Sequence, residues 1–354
     1  MKPARLVLQS GEVFQGECSE VSTFFGEVVF NTGMVGYMEA MTDPSYRGQL
    51  LCFTYPLMGN YGVPDPSTWE SSRIQVAGVM VSETCEHYQH REAQKSLLEI
   101  CREYHVPLLT GIDTRRLTKT LSHHGVMPGC ITTEKATPTT FIDINTEHLV
   151  KAVSITAPIE SGHGPHKVIA IDCGMKQNII RHLQRFPLCI KQVPFDYDFT
   201  AEDYDAVFIS NGPGDPARCV ETIAIIKKIL AGNKPVFGIC LGAQLMSIAI
   251  GAKTYKLPFG HRAQNHPCMS IDNERCYLTS QNHGFTIDEK TLPTDWETHY
   301  RHVNDGTVQG IRHKTKPFSA VQFHPESGPG PVDTAFLFDE FYQAIAQNKN
   351  ARHI

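Results

Sequence analysis

Short, almost continuously apolar runs recur along the second half of the chain. Residues 167–172 (KVIAID), 206–210 (AVFIS) and 235–239 (PVFGI) lack polar alternation, as expected of strands covered on both faces. Helical spacing separates them. Residues 178–185 form one such stretch, and 221–231 another, with Ile223, Ile225, Ile226 and Ile229. Residues 243–250 read as a further helix, and 319–323 (SAVQF) as a further strand. This alternation predicts an α/β fold with an open, mostly parallel sheet. In such a sheet, chemistry gathers beyond the carboxyl ends of the strands.

The first half has a different rhythm. Residues 5–17 read as two short strands around Ser10 and Gly11, residues 26–32 (GEVVFNT) as a third, and 74–81 (IQVAGVMV) as another β-type run. Residues 92–105 have helical spacing with Leu97, Leu98 and Cys101 on one face, and 114–122 form a short helix. This half is predicted to be a β-rich, mixed α/β domain. Residues 157–166 (APIESGHGPH) read as a linker. The expected organisation is therefore a first domain over 1–156, a linker over 157–166 and a second domain over 167–354. That agrees with roughly one domain per 150 residues.

Composition narrows the functional classes. The hydrophobic fraction of 41% supplies ordinary cores, and the net charge of −5 gives no electrostatic case for nucleic acid or an anionic membrane. No run of about 18 apolar residues is present, and Glu12 and Glu17 interrupt the N-terminal stretch before a signal-peptide core could form. A cytoplasmic setting is expected. Eleven cysteines without CxxC pairs are expected to be free thiols, mostly buried. Seventeen histidines invite a metal reading, but His123, His124, His261, His266 and His302 show no HExxH or Cys/His ligand spacing. No metal is expected.

One segment carries a chemical signature. Gly238-Ile239-Cys240-Leu241-Gly242 sits between a predicted strand and a predicted helix, the nucleophile-elbow pattern with sulfur in place of hydroxyl. The following helix N-terminus favours the thiolate, and the Leu241 N–H can face an oxyanion. An isolated GxCxG suits a buried core cysteine equally well; its placement favours a nucleophile. At the end of SAVQF lies His324-Pro325-Glu326. In an extended chain, residues two apart share a face, so Glu326 can orient His324 toward Cys240. Alone, these letters would also make a surface turn. Asn211-Gly212-Pro213-Gly214 reads either as an ordinary turn or as a rigid loop near a reacting carbonyl. Residues 280–285 (SQNHGF) say little alone.

Together these segments resemble class I (triad) glutamine amidotransferases. NGPGDP, GICLG, SQNHGF and QFHPE occur in order. Residues 26–46, 54–62 and 111–118, with DCGMKQNI at 172–179, GAKTYK at 251–256 and HPESGPGP at 324–331, resemble the small-chain family of carbamoyl-phosphate synthase. The resemblance covers about 4–345. It implies that Cys240 forms a γ-glutamyl thioester, that His324 manages protons and that Glu326 orients His324. It implies glutamine contacts from Ser45 of the first domain and from Gly212, Gly214, Leu241, Gln244, Asn282, Gly284 and Phe285. Two domains would then close over one site, with the amides of Leu241 and the 212–214 loop forming the oxyanion hole. The implied partner is the large synthetase chain, which would carry ATP and magnesium; this chain would need no cofactor. The product, carbamoyl phosphate, would serve pyrimidine or arginine biosynthesis. The chain departs from the family pattern at Ala243, where His is frequent, and at Ala263 in an expected loop over 260–267, where Gly is usual. The competing readings are a non-catalytic regulatory subunit and another class I amidotransferase.

Overall fold

Strand β1 (Lys2–Leu8) turns into β2 (Val13–Cys18) through Gly11, whose φ of +90° is open to glycine without a side-chain penalty. The remaining elements of this unit are β3 (Thr23–Asn31), α1 (Tyr37–Thr42), β4 (Gln49–Phe53), β5 (Leu57–Met58), β6 (Gly78–Met80), β7 (Glu83–Thr84), α2 (Leu97–Glu103), β8 (Leu108–Thr110), α3 (Thr114–His124) and β9 (Met127–Thr132). Seven strands close into a barrel in the order β1-β2-β8-β6-β4-β3-β9, which leaves none of them an open edge. Strands β5 and β7 pair separately. The β4 sequence QLLCF is apolar on both faces because alternate residues enter different cores. Leu50 and Cys52 pack with Leu6, Val28 and Ile131, while Leu51 and Phe53 pack with Tyr37, Trp69 and Ile100.

The computed structural model describes residues 1–136 and 138–351, and it divides into Met1–Glu147 and His148–Ile354. The end of the second domain as drawn from sequence, 352–354, lies outside the described residues. Two predicted elements are shorter than expected. Helix α2 begins at Leu97 because Ser96 and Glu99 form a capping box, and the preceding Lys95 carbonyl is taken by Val63 N–H. In the β-type run over 74–81, only Gly78–Met80 is strand, since Gln75 and Ala77 donate to the Met41 and Gln49 carbonyls.

The second unit contains β10 (Ile159–Gly162), β11 (His166–Asp172), α4 (Gln177–Leu183), β12 (Leu188–Pro194), β13 (Ala206–Ile209), α5 (Val220–Leu230), β14 (Val236–Ile239), α6 (Leu241–Ala249), β15 (Lys253–Ser270), β16 (Cys276–Asp288), β17 (Trp296–His302), β18 (Val308–His313), β19 (Phe318–Val321) and α7 (Phe336–Ala351). They form one sheet in the order β10-β12-β11-β13-β14-β19-β18-β17-β15-β16. Pairing is parallel from β12 through β19 and antiparallel toward both edges. Helices cover both faces of the parallel part. Ile225, Ile229, Leu245 and Met246 pack with Ile169 and Ile171, while Ile179, Leu183, Phe338 and Phe341 pack with Val168 and Ala170.

Two expectations are corrected here. The predicted linker over 157–166 contains β10, which pairs antiparallel with β12, and the division between units falls earlier, after Glu147. The predicted loop over 260–267 lies inside β15; two register irregularities against β16 let Gly260 (φ +68°) and the following residues bend without leaving the strand. Among the described residues no helix is long and apolar enough to cross a membrane.

Candidate active site

Because β11, β13, β14 and β19 run parallel, their carboxyl ends lie on one side of the sheet. Each is followed by polar or glycine-rich chain: Cys173–Lys176, Asn211–Gly214, Cys240 and His324–Glu326.

Cys240 is the single residue between β14 and α6. Its φ is +52° and ψ −104°, a conformation that costs a non-glycine residue of order 1–3 kcal/mol. The surroundings hold it there. Its N–H donates to the Val321 carbonyl at 2.8 Å, and a β-carbon at Gly242 would stand 2.4 Å from the Ile209 carbonyl oxygen. A β-carbon at Gly238 would stand 2.9 Å from the Gly242 carbonyl carbon. Both glycines are therefore required by packing. The Cys240 sulfur lies 3.7 Å from the Asn282 carbonyl, and Leu241, the first residue of α6, has an N–H that no carbonyl of the helix can accept.

His324 is anchored through its N–H, which donates to the Ser280 carbonyl at 2.9 Å. Its Nδ1 donates to Glu326 Oε1 at 2.6 Å, which fixes the ring and leaves Nε2 for the Cys240 sulfur. Both side chains are buried. Burial by itself would lower His324, but the charges of Glu326 and of the Cys240 sulfur outweigh it and raise the imidazole well above its ordinary value. Burial likewise opposes ionisation of Glu326, yet Lys176 and His324 hold its carboxyl below the usual range.

Lys176, Asn178, Ser280 and Gln322 also belong to the site, although no sequence motif assigns them a role in it. Lys176 Nζ lies 3.2 Å from Glu326 Oε1 and also donates to the Ser327 carbonyl; Asn178 Nδ2 donates to the Glu326 carbonyl. Both residues follow the carboxyl end of β11, which puts them at the chemical end of the sheet, but no spacing in the sequence names their partner.

The structure gathers most of the other expected residues around Cys240. A β-carbon at Gly212 would meet the Cys173 carbonyl at 2.1 Å and Leu241 at 2.7 Å, so this loop lies against the start of α6. Gly214 has φ +86°. Gln244, on α6, donates to the Phe285 carbonyl at 2.9 Å and to Gln322 Oε1 at 3.1 Å, which ties the helix to the segment Asn282, Gly284 and Phe285 of β16. Ser45 belongs to the first unit, where it is buried in a short turn and its N–H donates to Asp43 Oδ1. Ala243 is buried in the α6 core, and Ala263 is buried in β15 opposite Gln281.

Residues 169–344 match the family described as glutamine amidotransferase class-I, and residues 6–131 match the carbamoyl-phosphate synthase small chain, CPSase domain. The chain is 45% identical to the multifunctional protein CAD of Squalus acanthias, over 98% of this chain and 16% of that protein. It is 44% identical to the multifunctional protein URA2 of Saccharomyces cerevisiae, over 97% of this chain and 18% of that protein. The chain thus spans under a fifth of the length of these two relatives. It is also 42% identical to the carbamoyl phosphate synthase arginine-specific small chain of Aspergillus niger, over 98% of this chain and 81% of that one. An elbow thiol, a histidine fixed by a buried glutamate and matching sequence along both units lead to one conclusion: the chain belongs to the carbamoyl-phosphate synthase small-chain family and carries a class I glutamine amidotransferase domain.

Proposed function

We propose that this chain hydrolyses L-glutamine and delivers the ammonia to a synthetase chain that makes carbamoyl phosphate from bicarbonate and ATP. The observation that carries the reading is the buried His324–Glu326 contact of 2.6 Å beside a cysteine held at positive φ. In this mechanism the Cys240 sulfur attacks the side-chain amide carbon of glutamine. The oxygen, now carrying the negative charge, is met by the Leu241 N–H. His324 gives its proton to the amide nitrogen, the C–N bond breaks and ammonia leaves a γ-glutamyl thioester. His324 then takes a proton from water, which attacks the thioester and releases glutamate and the thiol. Gln244 and the carbonyls of β16 shape the pocket for the substrate, and Lys176 keeps Glu326 ionised.

The large synthetase chain, with its ATP and magnesium, and a cytoplasmic setting in which Cys240 stays reduced are parts of the same proposal. Cys240→Ser should lower glutaminase turnover by at least ~10³-fold, because members of a catalytic unit act together. Carbamoyl phosphate synthesis from added ammonia should persist when the synthetase chain is present. Near-normal glutamine hydrolysis by the variant would overturn the assignment. Glutaminase turnover of the unmodified chain should also rise ~10-fold or more with the synthetase, bicarbonate and ATP, a change of about 1.4 kcal/mol in the barrier.

A further inference from the structure

The antiparallel layer at the far side of the second unit brings together histidines that no sequence spacing links. His261 on β15 stands opposite His283 on β16, and His302 ends β17 beside Asp305 in the following turn. His261 Nε2 lies 2.7 Å from Asp305 Oδ2, and His302 Nδ1 lies 3.3 Å from Asp305 Oδ1. The two rings stack with centroids 4.4 Å apart. One donor atom from each of His261, His302 and Asp305 falls within 4.8 Å of the others.

We propose that His261, His302 and Asp305 form a binding site for a borderline divalent transition ion such as zinc, cobalt or nickel. The surrounding contacts are those such a site needs. A metal-binding imidazole keeps its orientation and its tautomer through a hydrogen bond at its remote nitrogen. Here each imidazole has one: His261 Nδ1 meets His283 Nε2 at 3.2 Å, and His302 Nε2 meets His266 Nδ1 at 2.9 Å. The carboxylate is also held, since Asp305 Oδ1 accepts from Thr307 N–H at 3.0 Å and from Thr307 Oγ1 at 2.8 Å. Two nitrogens and one oxygen suit zinc and its neighbours better than calcium or magnesium, which prefer all-oxygen ligands. Both histidines are buried while Asp305 is exposed, so the ion has an entry path and a coordination position left for water.

Binding has two structural requirements. The two rings lie in nearly parallel planes, so one imidazole must turn about χ2 before both nitrogens can face one ion. The ion must also displace the Asn304 N–H that donates to His302 Nδ1 at 3.2 Å. The site connects to the pocket described above, because His283 Nδ1 donates to the same Phe285 carbonyl that receives Gln244. Its existence does not depend on the glutaminase reading.

The test uses the full chain carrying Cys240→Ser, which removes the active-site thiol as a competing ligand. Cobalt(II) is titrated and followed by visible absorption, and zinc by calorimetry. The expected result is one equivalent bound, with ligand-field bands of a nitrogen and oxygen site and no sulfur-to-cobalt charge transfer. Asp305→Asn, at an exposed position that leaves the fold intact, should weaken binding ~10-fold or more, and His302→Ala should abolish it. No cobalt spectrum, a sulfur charge-transfer band, or an affinity unchanged by Asp305→Asn would each overturn the proposal.

Discussion

Lys176 Nζ stands 3.2 Å from Glu326 Oε1, with both side chains buried, so the orienting carboxylate of the site is shared between a histidine and a lysine. A buried carboxylate with one cationic partner is poorly compensated. With two, it stays ionised and its oxygen is held from two directions.

Lys176→Met should therefore do more than lower stability. Loss of a cation beside Glu326 lets the carboxylate act more strongly on His324, which then holds its proton to higher pH. The basic limb of the glutaminase kcat–pH profile, where His324 loses its proton, should move upward, and kcat at neutral pH should fall ~10-fold or more, about 1.4 kcal/mol. A lower melting temperature with an unmoved pH profile would reduce Lys176 to a structural role.

The His324–Glu326 pair makes a signed prediction about stability. Lys176 and His324 depress the folded Glu326 against the opposing effect of burial. Its contribution is thus full above the unfolded carboxyl value of about 4.3 and is lost as pH falls through the depressed folded value. His324 is raised despite burial, so its contribution is full below the unfolded imidazole value of about 6.5 and is lost as pH rises through the raised folded value. Both are complete together only between about pH 4.5 and 6.5. The urea-unfolding difference between the unmodified chain and Glu326→Gln should peak there, at about 3 kcal/mol or more. It should shrink toward pH 3 and toward pH 9; a difference independent of pH contradicts the ion-pair account.

Two glycines of the second unit should separate packing from backbone strain. Gly242→Ala places a β-carbon 2.4 Å from the Ile209 carbonyl oxygen, so β13 and α6 must move apart beside the nucleophile. The expected cost is about 1–3 kcal/mol of stability and ~10²-fold of glutaminase activity. Gly251→Ala meets nothing within 4 Å but has φ +95°. It should cost about 1 kcal/mol and leave the specific activity unchanged. Equal activity losses in the two would remove the argument that close approach at the elbow positions Cys240.

Gln244→Ala removes one of two donors to the Phe285 carbonyl, which keeps His283 Nδ1, and leaves Gln322 Oε1 without its Gln244 donor. An unsatisfied buried acceptor costs about 1–3 kcal/mol. Because the segment that moves borders the pocket, the KM for glutamine should rise ~10-fold, with a smaller change in kcat. Steady-state kinetics with an unchanged KM would show that β16 is held by other contacts.

The parallel core and the elbow are legible in the chain itself. KVIAID, AVFIS and PVFGI had to be buried strands because nothing else buries both sides of so short a run, and β11, β13 and β14 fall on them. Cys240 between Gly238 and Gly242, and Glu326 two residues from His324, were legible because the relevant partners are neighbours in the chain. What distant segments do to one another follows from the folded sheet. The Pro-, Gly- and Ser-containing stretch over 157–166 contains a strand because β12 offers an edge to pair with. Helix α2 is short because Val63 takes the Lys95 carbonyl before the helix can begin. Lys176 reaches Glu326, and His261 reaches His302 and Asp305, across strands whose spacing in sequence carries no trace of the contact. Periodicity and turn chemistry act over a few residues, so they are written locally. A buried charge, in contrast, takes whatever partner the folded sheet brings within a few ångströms, and that choice exists only in three dimensions.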